Sequence, residues 1–156
     1  MRISRGTAFL NDNQIEAAIA DFDRALELNN LSPDAFLGRS KALIKAGDMQ
    51  AALTECERAC RLNNSQADVF GTLAEIYYSL CDYTRSIEEF SRAARLSAAP
   101  EEEATYIYRR GNAKYELNQL DDAASDFQTA TELNPNHAGA WTVSYTHLTL
   151  PTTPYV

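Results

Sequence analysis

Nowhere in this chain do apolar residues run for the roughly 18 to 20 positions that a membrane-spanning helix needs, and the N-terminus carries no signal-peptide core. No membrane association is expected, and a cytoplasmic protein fits. Cysteine is scarce. Cys56, Cys60 and Cys81 are odd in number and lack CxxC spacing, which suits buried thiols in a reducing compartment better than a disulfide framework. Positive charge is short as well: 14 Lys and Arg stand against 22 Asp and Glu, a formal net charge of -8. Such a surface repels phosphate backbones, so nucleic acid is not an expected partner, and basic or neutral proteins fit better. Histidine is nearly absent, with His137 and His147 alone, and no catalytic triad can be assembled. Gly38, Gly47 and Gly71 are too scattered to form a phosphate-binding loop. Cys56 and Cys60 lie four apart on one helix face, but two ligands do not make a zinc site, and they read as packing residues. No catalytic activity, metal or cofactor is expected.

What the chain does have is a repeat. Its 156 residues, 45% hydrophobic, are enough for one domain with an ordinary core. Four positions recur: small at Ala18, Ala52, Ser86 and Ala123; bulkier at Phe22, Cys56, Phe90 and Phe127; then Ala25, Ala59, Ala93 and Ala130; then Leu28, Leu62, Leu96 and Leu133. The first set is spaced 34, 34 and 37 residues apart, and 34 is a known solenoid period holding two helices. Within a unit the steps of 4, 3 and 3 follow one helical face. The small residues permit close helix crossing, with Phe and Leu expected to fill the space on either side.

These residues resemble the tetratricopeptide repeat family. The resemblance covers about residues 1–142, and rests also on Phe36, Phe70 and Trp141 opening first helices, on Gly6, Ser40, Ala74 and Gly111 in their middles, and on Pro135 closing a second helix. It implies an all-α fold, a right-handed α-solenoid of antiparallel helix pairs whose first helices line a concave groove. The units run over about 1–31, 32–65, 66–99 and 100–136, with the start of a fifth at 137–142.

Local signals place the helices. The spacing predicts helices near 2–12 and 14–29, broken at Asn11-Asp12-Asn13. Ser32-Pro33-Asp34 supplies an N-cap followed by Pro at the first helical position. Gly47-Asp48 turns the chain into a helix over 49–62, and a last second helix is expected over 120–133. Cys81-Asp82 stands where the family usually has Gly. Three extra residues fall within 97–103, where Pro100 can start a helix and Glu101, Glu102 and Glu103 complement its N-terminal dipole. Arg5, Arg39 and Arg110 are each followed 16 residues later by an acid, Asp21, Glu55 and Asp126, and are predicted to pair with it across their unit; the third unit has Leu73 with Glu89.

The candidate site is the concave face. On the fourth unit's first helix, Thr105, Tyr108, Arg109, Asn112, Tyr115 and Glu116 share one side; the equivalent faces carry Asp34, Leu37, Lys41 and Lys45, then Asp68, Glu75, Tyr78 and Ser79. Tyr and Arg combine large contact area with a polar tip, and Asn can both donate to and accept from a peptide backbone. The expected groove residues are therefore Lys41, Lys45, Glu75, Tyr78, Tyr108, Arg109, Asn112 and Tyr115. Some members of the family clamp the acidic tails of chaperones with Lys, Asn and Arg. Here Gly111-Asn112 resembles the start of that clamp, but Tyr108 replaces its Lys, and Ile3, Thr7, Gly38, Asp68 and Thr72 fill the other positions, so a chaperone tail is disfavoured for these units. The expected function is a scaffold for protein-protein interaction that binds a peptide or partner helix. The alternative is the targeting arm of a larger enzyme or co-chaperone.

Residues 143–156 break the pattern: VSYTHLTLPTTPYV has no charge and no helical period. Its Val143-to-Thr152 portion resembles the translation of an adapter used in transposase-based library preparation, so this tail is expected to be a sequencing artefact fused after Trp141-Thr142.

Overall fold

The computed structural model describes residues 1–137. The expected opening of a fifth unit at Trp141 and the 143–156 tail lie outside the described residues. Eight α-helices follow one another among these: α1 (Arg2–Asn11), α2 (Ile15–Leu28), α3 (Pro33–Ala46), α4 (Met49–Leu62), α5 (Ala67–Ser79), α6 (Tyr83–Leu96), α7 (Pro100–Glu116) and α8 (Leu120–Leu133), with a short 3-10 turn at Pro135–His137. Odd and even helices pair within each unit, each even helix also packs on the next odd one, and α1–α3 and α3–α5 touch directly. This is the right-handed α-solenoid, with the odd helices forming its inner row.

The boundaries have local causes. Every turn between the paired helices carries one residue in the left-handed region: Asn13 at φ 59°, Gly47 at 87°, Cys81 at 61° and Asn118 at 60°. The residue after each of these donates its N–H back to the preceding helix, Gln14 to Phe9 O, Asp48 to Leu43 O, Asp82 to Tyr77 O and Gln119 to Lys114 O, at 2.8–3.0 Å. That is the Schellman closure, which satisfies a helix-end carbonyl that would otherwise lack a donor. Side-chain caps open three helices: Ser32 Oγ accepts from the Ala35 N–H at 3.3 Å, Asp48 from Ala51 at 3.0 Å and Asp82 from Arg85 at 3.2 Å. The extra residues before the fourth unit lengthen α7 to 17 residues, against 14 in α3, beginning at Pro100.

Three apolar clusters run along the solenoid: Leu10, Ala18, Phe22 and Ala42; then one around Phe36, Cys56, Ile76 and Tyr77; then one around Phe70, Phe90, Tyr106 and Ile107. The small positions Ala18, Ala52, Ser86 and Ala123 are fully buried. Ser40 Oγ donates to Ala52 O at 2.8 Å and Ser86 Oγ to Ala74 O at 2.9 Å, so hydroxyls at these crossings are satisfied. The Phe22 ring is wedged between two units: a Cβ at Gly6 would lie 2.9 Å from Cε1 of that ring, and one at Gly38 only 2.3 Å away.

One expectation is corrected. Leu28, Leu62 and Leu96 do not fill the core; they are 81%, 41% and 40% exposed. Each is the last residue of its helix; Leu133, at the same register in α8, does pack against the third cluster, so the packing of neighbouring units and not the helix register decides which of these leucines is covered.

The three Arg–acid pairs form. Arg5 grips Asp21 through Nε and Nη2, and Arg110 donates to Asp126 through Nε at 2.8 Å and Nη2 at 2.7 Å. Arg39 is looser: Nη1 lies 3.7 Å from Glu55 Oε2 while Nε sits 3.0 Å from Asp23, and neither Arg39 Nε nor Glu55 Oε2 makes a hydrogen bond. In the third unit Leu73 joins the second apolar cluster, and Glu89 turns to Arg92 on its own helix at 3.2 Å. The consequence is electrostatic. Arg5 holds the Asp21 carboxyl below the usual range, whereas burial pushes that of Glu89 above it.

Candidate functional site

Steps of three and four residues on α7 bring Thr105, Tyr108, Arg109 and Asn112 to one side. With Glu75, Tyr78 and Ser79 of α5 and Ile44 of α3, they line an open cavity of about 510 Å³ that has Phe90 at its base. A second cavity of about 320 Å³ adjoins it, sharing Ile44 and Glu75 and extending past Lys41, Lys45 and Asp68 to Leu10 of α1. The two form one trough along the inner row of helices. It contains every sequence-predicted groove residue except Tyr115, which is 42% exposed and lines neither cavity.

The cations of the trough are internally matched. Arg109 is ion-paired with Glu75 across the α5–α7 boundary, and partial burial lowers its pKa from the ordinary arginine value. Lys41 Nζ lies 2.5 Å from Asp68 Oδ2. Lys45 Nζ donates at 2.9 Å to Leu10 O, a carbonyl in the last turn of α1, and so also acts as a tie between units. Tyr78 OH donates to Glu116 Oε1 at 3.4 Å, and its ring meets that of Tyr83 edge-on at 5.3 Å. Burial, then the nearby Glu116 charge, raise the Tyr78 pKa, so the hydroxyl stays a donor at neutral pH. The Tyr108 ring packs 5.2 Å from that of Phe127. The tyrosines are therefore held by ring contacts while one side of each borders the trough.

Ile44 and Phe90 stand outside the sequence-predicted set, although they supply the apolar floor. Phe90 belongs to the repeat's bulky position, and its helix register points it into its own unit; nothing local announces that its ring also borders a cavity against the next one. Gly71 is similar. A Cβ there would lie 2.3 Å from the Tyr106 ring, so this glycine admits a side chain from the neighbouring unit. Of the three thiols expected to be buried, Cys60 is only half-buried and Cys81, at a turn, is exposed; Cys56 is fully buried, donates to Val69 O at 3.5 Å, and has its thiol pKa pushed up to about 12 by burial. Such a thiol is no nucleophile at neutral pH. No helix among the described residues is long and apolar enough to cross a membrane.

Comparison with known proteins agrees with this architecture. Tetratricopeptide repeat family profiles match residues 3–67 and 104–137, together more than half of the chain. Among solved structures, the chain is similar to YrrB, described as a TPR protein with an unusual peptide-binding site, at 26% identity and a TM-score of 0.74, covering 94% of this chain and 75% of that one. It is similar in fold to Pseudomonas aeruginosa pilF, at 19% identity, TM-score 0.88, and 94% and 65% coverage. The same holds for TTC0263, a thermophilic TPR protein of Thermus thermophilus, at 16% identity, TM-score 0.79, and 96% and 80% coverage. No curated protein sequence matches the chain.

Proposed function

The chain belongs to the tetratricopeptide repeat family, and from that premise we propose that it is a scaffold for protein-protein interaction whose inner trough takes up an extended peptide or a partner helix without doing chemistry on it. The observation that carries this reading is the continuity of the trough: two cavities from different unit boundaries share Ile44 and Glu75. The larger one falls in the range of about 300–1,000 Å³ typical of ligand pockets. It combines an apolar floor, Ile44 and Phe90, with a rim of Tyr78, Tyr108, Arg109 and Asn112.

The same geometry supports a choice among partners. Lys41 and Arg109 already face carboxylates, and Lys45 a carbonyl, so a strongly acidic tail would have to displace internal pairs to find its counter-charges. A neutral or basic segment with one large apolar side chain needs no such exchange. The peptide-binding site named for YrrB makes this use of the fold reasonable here.

The test is affinity capture with the whole chain, repeated with Arg109→Glu and Tyr108→Ala. Partners that dock in the trough should be retained about tenfold or more weakly by each variant, as expected for anchor residues. An unchanged set of partners would place binding elsewhere.

A further inference from the structure

On the edge of the solenoid, away from the trough, Leu31, Phe36 and Leu62 line an open cleft of about 290 Å³ together with Asn30, Arg58 and Arg61. It lies where the second helix of one unit gives way to the first helix of the next. Leu31 and Leu62 are exposed, and the Arg58 guanidinium lies 5.9 Å from the centroid of the Phe36 ring. Arg61 is 74% exposed. Both arginines have partners on their own helix, Glu55 at 3.4 Å and Glu57 at 3.5 Å. The Arg61–Glu57 pair is exposed on both sides and is readily opened by water and salt, whereas Glu55 is buried and holds Arg58 in place. No acid is among the residues that line the cleft. In a chain of net charge -8, this is a local inversion: apolar walls under two cations.

The turn between α7 and α8 has the opposite character. Leu117 and Leu120 are exposed there, and Asp121 and Asp122 follow them in the first turn of α8, both exposed. Two leucines beside two carboxylates complement two leucines beside two guanidinium groups. They cannot meet within one chain, because α8 packs on α7 and on the Pro135–His137 turn, whereas the cleft is built from α3, α4 and the loop before α3.

We propose that the α7–α8 turn of one copy docks in the Leu31–Leu62 cleft of another, linking copies head to tail. The contact joins two different patches, so it leaves one cleft and one turn unfilled at the ends and does not close as a two-fold dimer does. It uses none of the residues that line the trough.

The experiment is analytical ultracentrifugation of the whole chain over a concentration series reaching about 1 mM, at about 50 mM and about 500 mM salt. The average mass should rise with concentration at low salt and fall back at high salt. Arg61→Glu alone, or Asp121→Arg with Asp122→Arg, should each weaken association about tenfold or more, and an equimolar mixture of the two variants should restore it. Leu62→Ser leaves the charges in place and should weaken association while keeping the helical circular dichroism signal. A parent chain that stays monomeric throughout overturns the proposal, as does a mixture of correctly folded variants that fails to reassociate.

Discussion

Gly38 shows how much one methyl group can cost in this fold. Helix propensity favours Ala over Gly by about 1 kcal/mol in a helix interior, and on that ground alone Gly38→Ala would stabilise α3. The new Cβ would sit 2.3 Å from a Phe22 ring that is itself fully buried. Overpacking of this kind costs about 1–3 kcal/mol, so the expected outcome is net destabilisation, read as a lower midpoint in urea. Glu89 offers a second test, through pH. Its folded pKa is raised by burial, so the neutral form suits the fold. The stability this carries is fully present below the ordinary glutamate value and is lost as pH rises through the raised one. Glu89→Gln should then unfold at higher urea than the parent at pH 7, with the gap closing toward pH 4. Asp21 has the opposite sign. Its folded pKa is lowered by Arg5, so its contribution is present above the ordinary aspartate value and lost as pH falls through the lowered one, and Asp21→Asn should destabilise at pH 7. Equal responses of both variants at both pH values would contradict this account.

At the scale of the element, the left-handed turn residue governs where each helix pair folds back. Asn13, Gly47, Cys81 and Asn118 occupy it. Gly adopts that conformation without cost and Asn tolerates it, but Cys has a Cβ that crowds the carbonyl, at about 1–2 kcal/mol. Cys81→Gly should accordingly stabilise the third unit by about 0.5–1 kcal/mol, measured as a shift of the denaturation midpoint. An unchanged or lowered midpoint would mean that the freedom glycine adds to the unfolded chain outweighs the strain it relieves. The helices themselves were legible in the sequence: the expected 49–62 and 120–133 coincide with α4 and α8. The expected 2–12 runs one residue past the end of α1, and 14–29 one residue past each end of α2, because the closures at Asp12–Gln14 and Asn29 take those residues out of the helix. The Arg–acid pairs were legible too. A separation of 16 residues spans the second half of one helix, one tight turn and the first half of the next, a path short enough for spacing alone to bring the side chains together.

For the whole molecule, stability is distributed along a line. Each unit buries its apolar face against the next, and the two larger clusters span α3 to α8. Nearest-neighbour stacking of this kind predicts graded local opening and no single cooperative unit. Amide hydrogen exchange should be slowest in α4, α5 and α6 and at least about tenfold faster in α1; uniform protection from α1 to α8 would show a single cooperative unit instead. The sequence by itself determined the period, the helix pairs, their turns, the paired arginines and the face on which most trough residues lie. All of these follow from interactions closed within about one repeat, where helical periodicity dictates position. The tertiary structure alone decided that Leu28, Leu62 and Leu96 point outward, that Lys41, Lys45 and Arg109 are matched within the trough, that Ile44 and Phe90 form its floor, and that Gly38 and Gly71 make room for rings from other units. Each of these depends on how one unit is rotated onto the next. That rotation is set by packing across unit boundaries, which no periodicity within a unit records.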